Sequence, residues 1–141
     1  MIAIDTNVLL RYLLDDDVKQ SSQAKKLIIG GRPVLITDVV LVEAVWTLMG
    51  PRYSVDKPGI CAIVRALIGD SSFVFEDSQV IWSSLRAYDE SKTVRGKRLD
   101  FADALIASKA HYFAQNQGDK LSGFYSFDKA TEQLEGAKTL K

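Results

Sequence analysis

The sequence predicts an α/β fold with a central parallel sheet of four to five strands and helices on both of its faces. Three observations carry this expectation. Short apolar runs alternate along the chain with stretches of helical periodicity. Glycine-containing stops separate several of these segments. The length of 141 residues suits one domain with a proper core, so residues 1–141 are expected to form a single domain.

The elements follow in order. Met1 to Ile4 is an apolar run, and after Asp5, Thr6 and Asn7 the apolar positions Val8, Leu9, Tyr12 and Leu13 turn helical, which reads as a buried strand feeding a helix. Val18 to Ile29 sets Ala24, Leu27 and Ile28 among polar residues and closes at Gly30 and Gly31, a helix with a left-handed stop. Pro33 to Ile36 is the next strand. Thr37 and Asp38 can cap a helix from Val39 to Met49, which Gly50 and Pro51 end and which is apolar on almost every side. Ser54 to Ile68 is helical, with Pro58 tolerable only in its first turn, and Phe73 to Phe75 is a third strand. Gln79 to Tyr88 aligns Val80, Ile81, Leu85 and Tyr88 on one helical face. Asp100 to Ala114 does the same with Phe101, Ala104, Leu105, Ser108 and Tyr112, and Gly118 to Ser122 is a turn. Gly123 to Phe127 makes a fourth strand, Asp128 starts a short helix, and Ala137 to Leu140 adds an edge strand. No repeat, low-complexity tract or linker interrupts the pattern.

Composition narrows the function. The apolar share of 47% and charged share of 26% are ordinary for globular chains. No apolar stretch approaches the roughly 20 residues of a membrane span, and the N-terminal MIAIDTN lacks the basic region of a signal peptide, so a cytoplasmic protein is expected. Cys61 is the single cysteine; it sits in an apolar helical pattern, which excludes an internal disulfide or a thiolate cluster and marks it as core. Lys plus Arg equals Asp plus Glu at 18 each, so no global basic footprint for nucleic acid exists. The distribution is less even: Lys92, Arg95, Lys97 and Arg98 form a basic run just before Asp100 and Asp103, either a solvated loop or a guide for a phosphate backbone.

The acids carry the chemistry. Asp5 and Asp128 each follow an apolar strand, and parallel strands bring such residues to the carboxyl-end edge where α/β folds bind ligands. Glu43 and Asp103 lie in early turns of helices that start at that edge. Each of Asp5, Asp100 and Asp128 also suits an N-cap, where a carboxylate accepts backbone N–H bonds. Glu43 is different, because Val39 to Val42 and Ala44 to Trp46 surround it with apolar side chains, and an unpaired carboxylate buried there would cost several kcal/mol. Asp100 and Asp103 repel at i, i+3 unless a cation intervenes. An all-oxygen set of this kind suits Mg²⁺ or Mn²⁺, whereas zinc lacks nitrogen and sulfur donors here, since His111 is mid-helix and reads as structural or surface. Such a metal activates water for attack at phosphorus, which makes phosphodiester hydrolysis the natural reaction. Asn7 beside Asp5 and Ser126 beside Asp128 can hydrogen-bond a carboxylate or a phosphate, although turn chemistry explains them as well.

Taken together, an N-terminal Asp5-Thr6-Asn7, a helical Glu43, the segment Asp100-Phe101-Ala102-Asp103-Ala104-Leu105-Ile106-Ala107 and Tyr125-Ser126-Phe127-Asp128 resemble the PIN-domain ribonucleases, most closely the VapC-type toxins of VapBC toxin–antitoxin pairs. The resemblance runs over nearly the whole chain. It implies a PIN-like three-layer fold and an endoribonuclease whose Asp5, Glu43, Asp103 and Asp128 surround Mg²⁺ or Mn²⁺, with Asp100 as an additional acid. It further implies RNA as substrate, a homodimer, and a small VapB-type antitoxin that inserts a segment into the active-site groove. Ser126 stands where many members carry Thr and keeps the hydroxyl. Within this reading Arg95, Lys97 and Arg98 guide the RNA.

Two other readings use the same residues. A catalytically silent PIN-like binding or regulatory module would keep the acids as caps, and retention of every expected acid argues against it. A phosphoaspartate receiver domain would need an acidic pair after the first strand and a late lysine after a strand. The chain offers Asp5 followed by Thr6, and Lys129 follows Asp128 rather than replacing it.

Overall fold

The computed structural model describes residues 1–141, which divide into two units, Met1–Ser78 and Gln79–Lys141. In the first unit Ile2–Ala3 (β1), Val34–Ile36 (β2) and Phe73–Phe75 (β3) pair in parallel in the order β1-β2-β3. The register sets Ile2 opposite Val34, Val34 opposite Phe73 and Ile36 opposite Phe75. Val34 and Ile36 are fully buried, as expected for a central strand of apolar residues.

The helices of this unit are Thr6–Leu14 (α1), Val18–Ile28 (α2), Asp38–Met49 (α3) and Lys57–Gly69 (α4). Each begins at a side chain that satisfies a backbone N–H left over in the first turn. Asp5 accepts from Val8, Asp17 from Gln20, Thr37 from Val40 and Asp56 from Gly59. The last of these explains why α4 starts three residues beyond the Ser54 that periodicity suggests: Ser54 is left-handed at φ 50°, and Asp56 supplies the cap. Gly31, at φ 85°, takes the left-handed turn after α2. Cys61 is buried in α4, with Ile60, Val64 and Leu67.

The second unit holds Ser78–Glu90 (α5), which starts at the boundary, then Phe101–Asn116 (α6), Phe124–Ser126 (β4), a 3-10 turn at Lys129–Gln133 and Ala137–Thr139 (β5). Here β4 and β5 pair in parallel as a two-stranded sheet of their own, with Phe124 opposite Ala137 and Ser126 opposite Thr139. The fold is therefore mixed α/β, as the alternating pattern predicts, but its five strands form a three-stranded and a two-stranded sheet instead of one sheet of four to five. The reason lies in β4. Tyr125 is 57% exposed and Phe124 and Ser126 are half-buried, so this strand lacks the two apolar faces that the interior of a larger sheet requires. The short helix at Asp128 is also tighter than expected, five residues of 3-10 geometry. No helix is long and apolar enough to cross a membrane.

Candidate active site

In the first unit Asp5 and Glu76 stand just beyond the carboxyl ends of β1 and β3. Asp5 follows β1, and its Oδ1 accepts the Val8 N–H at 3.0 Å. A cap uses only part of what a carboxylate can accept, so Asp5 retains capacity for other partners. Asn7 is exposed one residue into α1 and lines, with Asp5 and Arg11, a cavity of about 300 Å³.

Glu43 is exposed on α3, which departs from its expected burial. The helix is apolar, but its apolar residues do not all face inward: Leu41, Ala44, Val45 and Leu48 are buried, whereas Val39 and Trp46 are 68% and 57% exposed on the side that carries Glu43. Desolvation therefore imposes no need for a partner on this carboxylate, and its functional assignment rests on position and family resemblance alone.

Glu76 is a residue that the sequence reading passes over. It directly follows β3, and its Oε2 accepts the Asp38 N–H at 2.6 Å, which ties the end of β3 to the start of α3. The signal was available, because Glu76 stands after an apolar strand just as Asp5 and Asp128 do. Replacing Glu76 with Ala leaves the part-buried Asp38 amide without that acceptor and is expected to cost about 1–2 kcal/mol. Glu76→Gln, which keeps an acceptor oxygen, should recover most of it; urea denaturation of the two variants checks this.

In the second unit three acids act on one another. Asp100 occupies the N-cap position of α6 yet makes no side-chain capping bond, so its expected cap role is not what it does. Asp103 lies in the first turn of α6 and is half-buried. Burial raises the Asp103 pKa above its ordinary value, the charges of Asp100 and Asp128 raise it further, and a backbone N–H bond from Asp100 pulls the other way. Asp128 does cap: it accepts the Ala130 N–H at 2.9 Å, while its own N–H donates to Ser126 Oγ at 2.9 Å. The Ser126 oxygen thus holds the turn that orients Asp128, and its O–H can still donate. Within neither unit do three Asp, Glu, His or Cys side chains stand in a ligating cluster.

The basic run forms a tight turn. Val94 and Lys97 exchange backbone hydrogen bonds of 2.9 Å each, and Arg95 at φ 50° and Gly96 at φ 77° fill the two positions between them. Arg95, Lys97 and Arg98 are exposed, while Leu99 is buried and anchors the strand of chain that leads to Asp100. Lys92 joins through its backbone, its N–H donating to Gln133 Oε1 at 2.8 Å. His111 contacts the Glu135 carbonyl through Nε2 at 2.8 Å, the structural role expected of it.

The donors fit a hard cation. Asp5 and Glu43 in the first unit and Asp100, Asp103 and Asp128 in the second each offer oxygen, the donor type a hard cation takes, and within the second unit a divalent ion would relieve the repulsion that Asp100 and Asp128 exert on Asp103. The PIN domain family model matches residues 2–129, and no curated protein matches the chain.

Proposed function

The chain belongs to the PIN domain family, whose members are generally nucleases, and from that premise we propose that it is an Mg²⁺- or Mn²⁺-dependent endoribonuclease, the VapC-type toxin of a toxin–antitoxin pair. The observation that carries the reading is Asp103 in the first turn of α6, a half-buried carboxylate whose pKa is raised by its burial and further by Asp100 and Asp128, an arrangement costly for a fold and useful for holding a cation.

Asp5, Glu43, Asp103 and Asp128 are the catalytic acids in this reading, and Asp100 adds a fifth metal ligand. A bound divalent ion supplies Lewis acidity and a more acidic water for in-line attack at phosphorus. The chain's own residues do the positioning: the Val8 and Ala130 amides fix Asp5 and Asp128, and Ser126 holds the turn before Asp128. Asn7, Ser126, Arg95, Lys97 and Arg98 contact the substrate, with the three cations taking the RNA backbone without reading its sequence. The family match spans parts of both units, which supports reading residues 1–141 as one PIN-like domain. With the toxin assignment come a homodimer, a small VapB-type antitoxin and a cytoplasmic location.

The capping bonds of Asp5 and Asp128 favour the rival reading of a silent binding module, in which the acids are structural. Asp100 weighs against it, since its carboxylate sits at a cap position without capping. The receiver-domain alternative falls to the family match.

The deciding experiment incubates purified protein with a tRNA mixture in Mg²⁺, Mn²⁺ or EDTA, beside Asp5→Asn. Asparagine caps as well as aspartate, so the variant is expected to fold normally and lose the cleavage that the native chain shows with either metal. Equal cleavage by both proteins, or cleavage that persists in EDTA, would sink the assignment.

A further inference from the structure

The cavity in the first unit between α1 and α2 has a composition that the cleavage reaction does not explain. Asp5, Asn7, Arg11, Gln20 and Gln23 rim about 300 Å³ whose remaining lining is apolar, from Val8, Leu27 and the buried Ala24. That volume is at the small end of ligand sites. It suits one nucleobase better than a base pair.

Arg11 sets the polarity of this cavity. Its Nε–H donates to Gln20 Oε1 at 3.0 Å, and its Nη1–H donates to Asp16 Oδ1 at 2.6 Å. Asp16 also accepts the Tyr53 hydroxyl at 3.0 Å, so Arg11 is anchored by a braced partner. A guanidinium only donates, so Gln20 must turn its oxygen toward Arg11, which leaves its amide NH₂ as the group it can offer a ligand. Asn7 and Gln23, both exposed, add two more amides.

The charge balance disfavours a phosphate. Asp16 pairs with Arg11, and the Asp5 carboxylate repels an anion, so a neutral ligand with a hydrogen-bonding edge fits best. We propose that this cavity binds a single unpaired base of the RNA and prefers a keto base, guanine or uracil, over adenine or cytosine. The Gln20 NH₂ meets a base carbonyl as a donor should, whereas the amino group that adenine or cytosine presents at the same edge leaves two donors facing each other. Asp5 lines the cavity and belongs to the catalytic set, so the base read there belongs to a nucleotide beside the bond that is cut. The identity of the polymer rests on the ribonuclease reading above.

The test is fluorescence anisotropy of the full chain in EDTA with labelled oligouridylate, oligoinosinate, oligoadenylate and oligocytidylate, inosine standing in for guanosine because oligoguanylate self-associates. The two keto oligomers are expected to bind about fivefold tighter or more, the lower end of what a good base contact discriminates. Gln20→Leu and Gln23→Leu should each bring them close to oligoadenylate. Equal binding of all four oligomers overturns the proposal, as does a keto preference that survives in both variants. Cleavage site mapping with Mn²⁺ separates the two claims. Cutting without base preference removes the pocket and keeps the ribonuclease, whereas a preference lost in the variants without any cutting keeps the pocket and removes the ribonuclease.

Discussion

Asp103→Asn is expected to lower metal-dependent RNA cleavage by about a hundredfold or more, the scale on which a single preorganised electrostatic group acts, while leaving the protein at least as stable as the native chain. The two effects have opposite signs because the side chain is unfavourable to the fold. Burial and the Asp100 and Asp128 charges raise the Asp103 pKa. A carboxyl with a raised folded-state pKa contributes stability that is fully present below its unfolded value and is lost as pH rises through the folded one. In EDTA the native chain should therefore lose stability across the window from the ordinary carboxylate value up to the raised one, and Asp103→Asn, which has no proton to lose there, should lack that step. Urea denaturation over the carboxylate range reads the stability, and the tRNA assay reads the activity. A variant that is inactive and also less stable would make Asp103 a structural residue.

The capping positions of two of the acids are legible in the sequence. Asp5 and Asp128 announce themselves because each comes just after an apolar strand, and both cap the turn that follows; their strands, β1 and β4, belong to two sheets and not to the one sheet expected. Glu43 misled in one respect. Its apolar neighbours in sequence suggested burial, but a helix turns through all directions within four residues, and α3 leaves Val39 and Trp46 exposed beside it. Glu76 was missed although it obeys the same strand-end rule, since its partner, the Asp38 N–H, is a backbone group 38 residues away that no side-chain motif records.

All five expected strands are present, and only their assembly into a single sheet differs, for a related reason. Gly123 to Phe127 has the apolar and aromatic content of a strand, and it is one. Which neighbour a strand pairs with depends on the edge it offers and on the return path of the chain. The tight 3-10 turn after Asp128 brings Ala137–Thr139 back alongside β4. Composition sees the strand and is blind to the partner. The cavity beside Asp5 was equally hidden, because Arg11 and Gln20 are nine residues apart on different helices, and only their 3.0 Å contact, in which Gln20 Oε1 accepts, leaves the Gln20 NH₂ as the group it offers.

Phe101→Ala is expected to destabilise the protein by about 3–5 kcal/mol and to reduce cleavage along with it. Phe101 is 1% exposed, and its ring meets Tyr88 edge-to-face with centroids 5.8 Å apart. Leu99 is buried as well, so Asp100 stands exposed between two apolar anchors, with Asp103 two positions beyond the second. The same packing that fills this part of the core thus fixes where the acids of α6 begin. Truncation at Phe101 removes a ring that backbone relaxation cannot replace, and it frees the first turn in which Asp103 resides. Phe101→Leu retains most of the buried volume and should keep the larger part of both stability and cleavage. Urea midpoints and tRNA cleavage measured on the two variants, at a temperature where both stay folded, test the coupling. If Phe101→Ala lost stability but cleaved at the native rate, the acids would be held by the backbone of α6 itself, and the Asp103 geometry would owe nothing to the core beneath it.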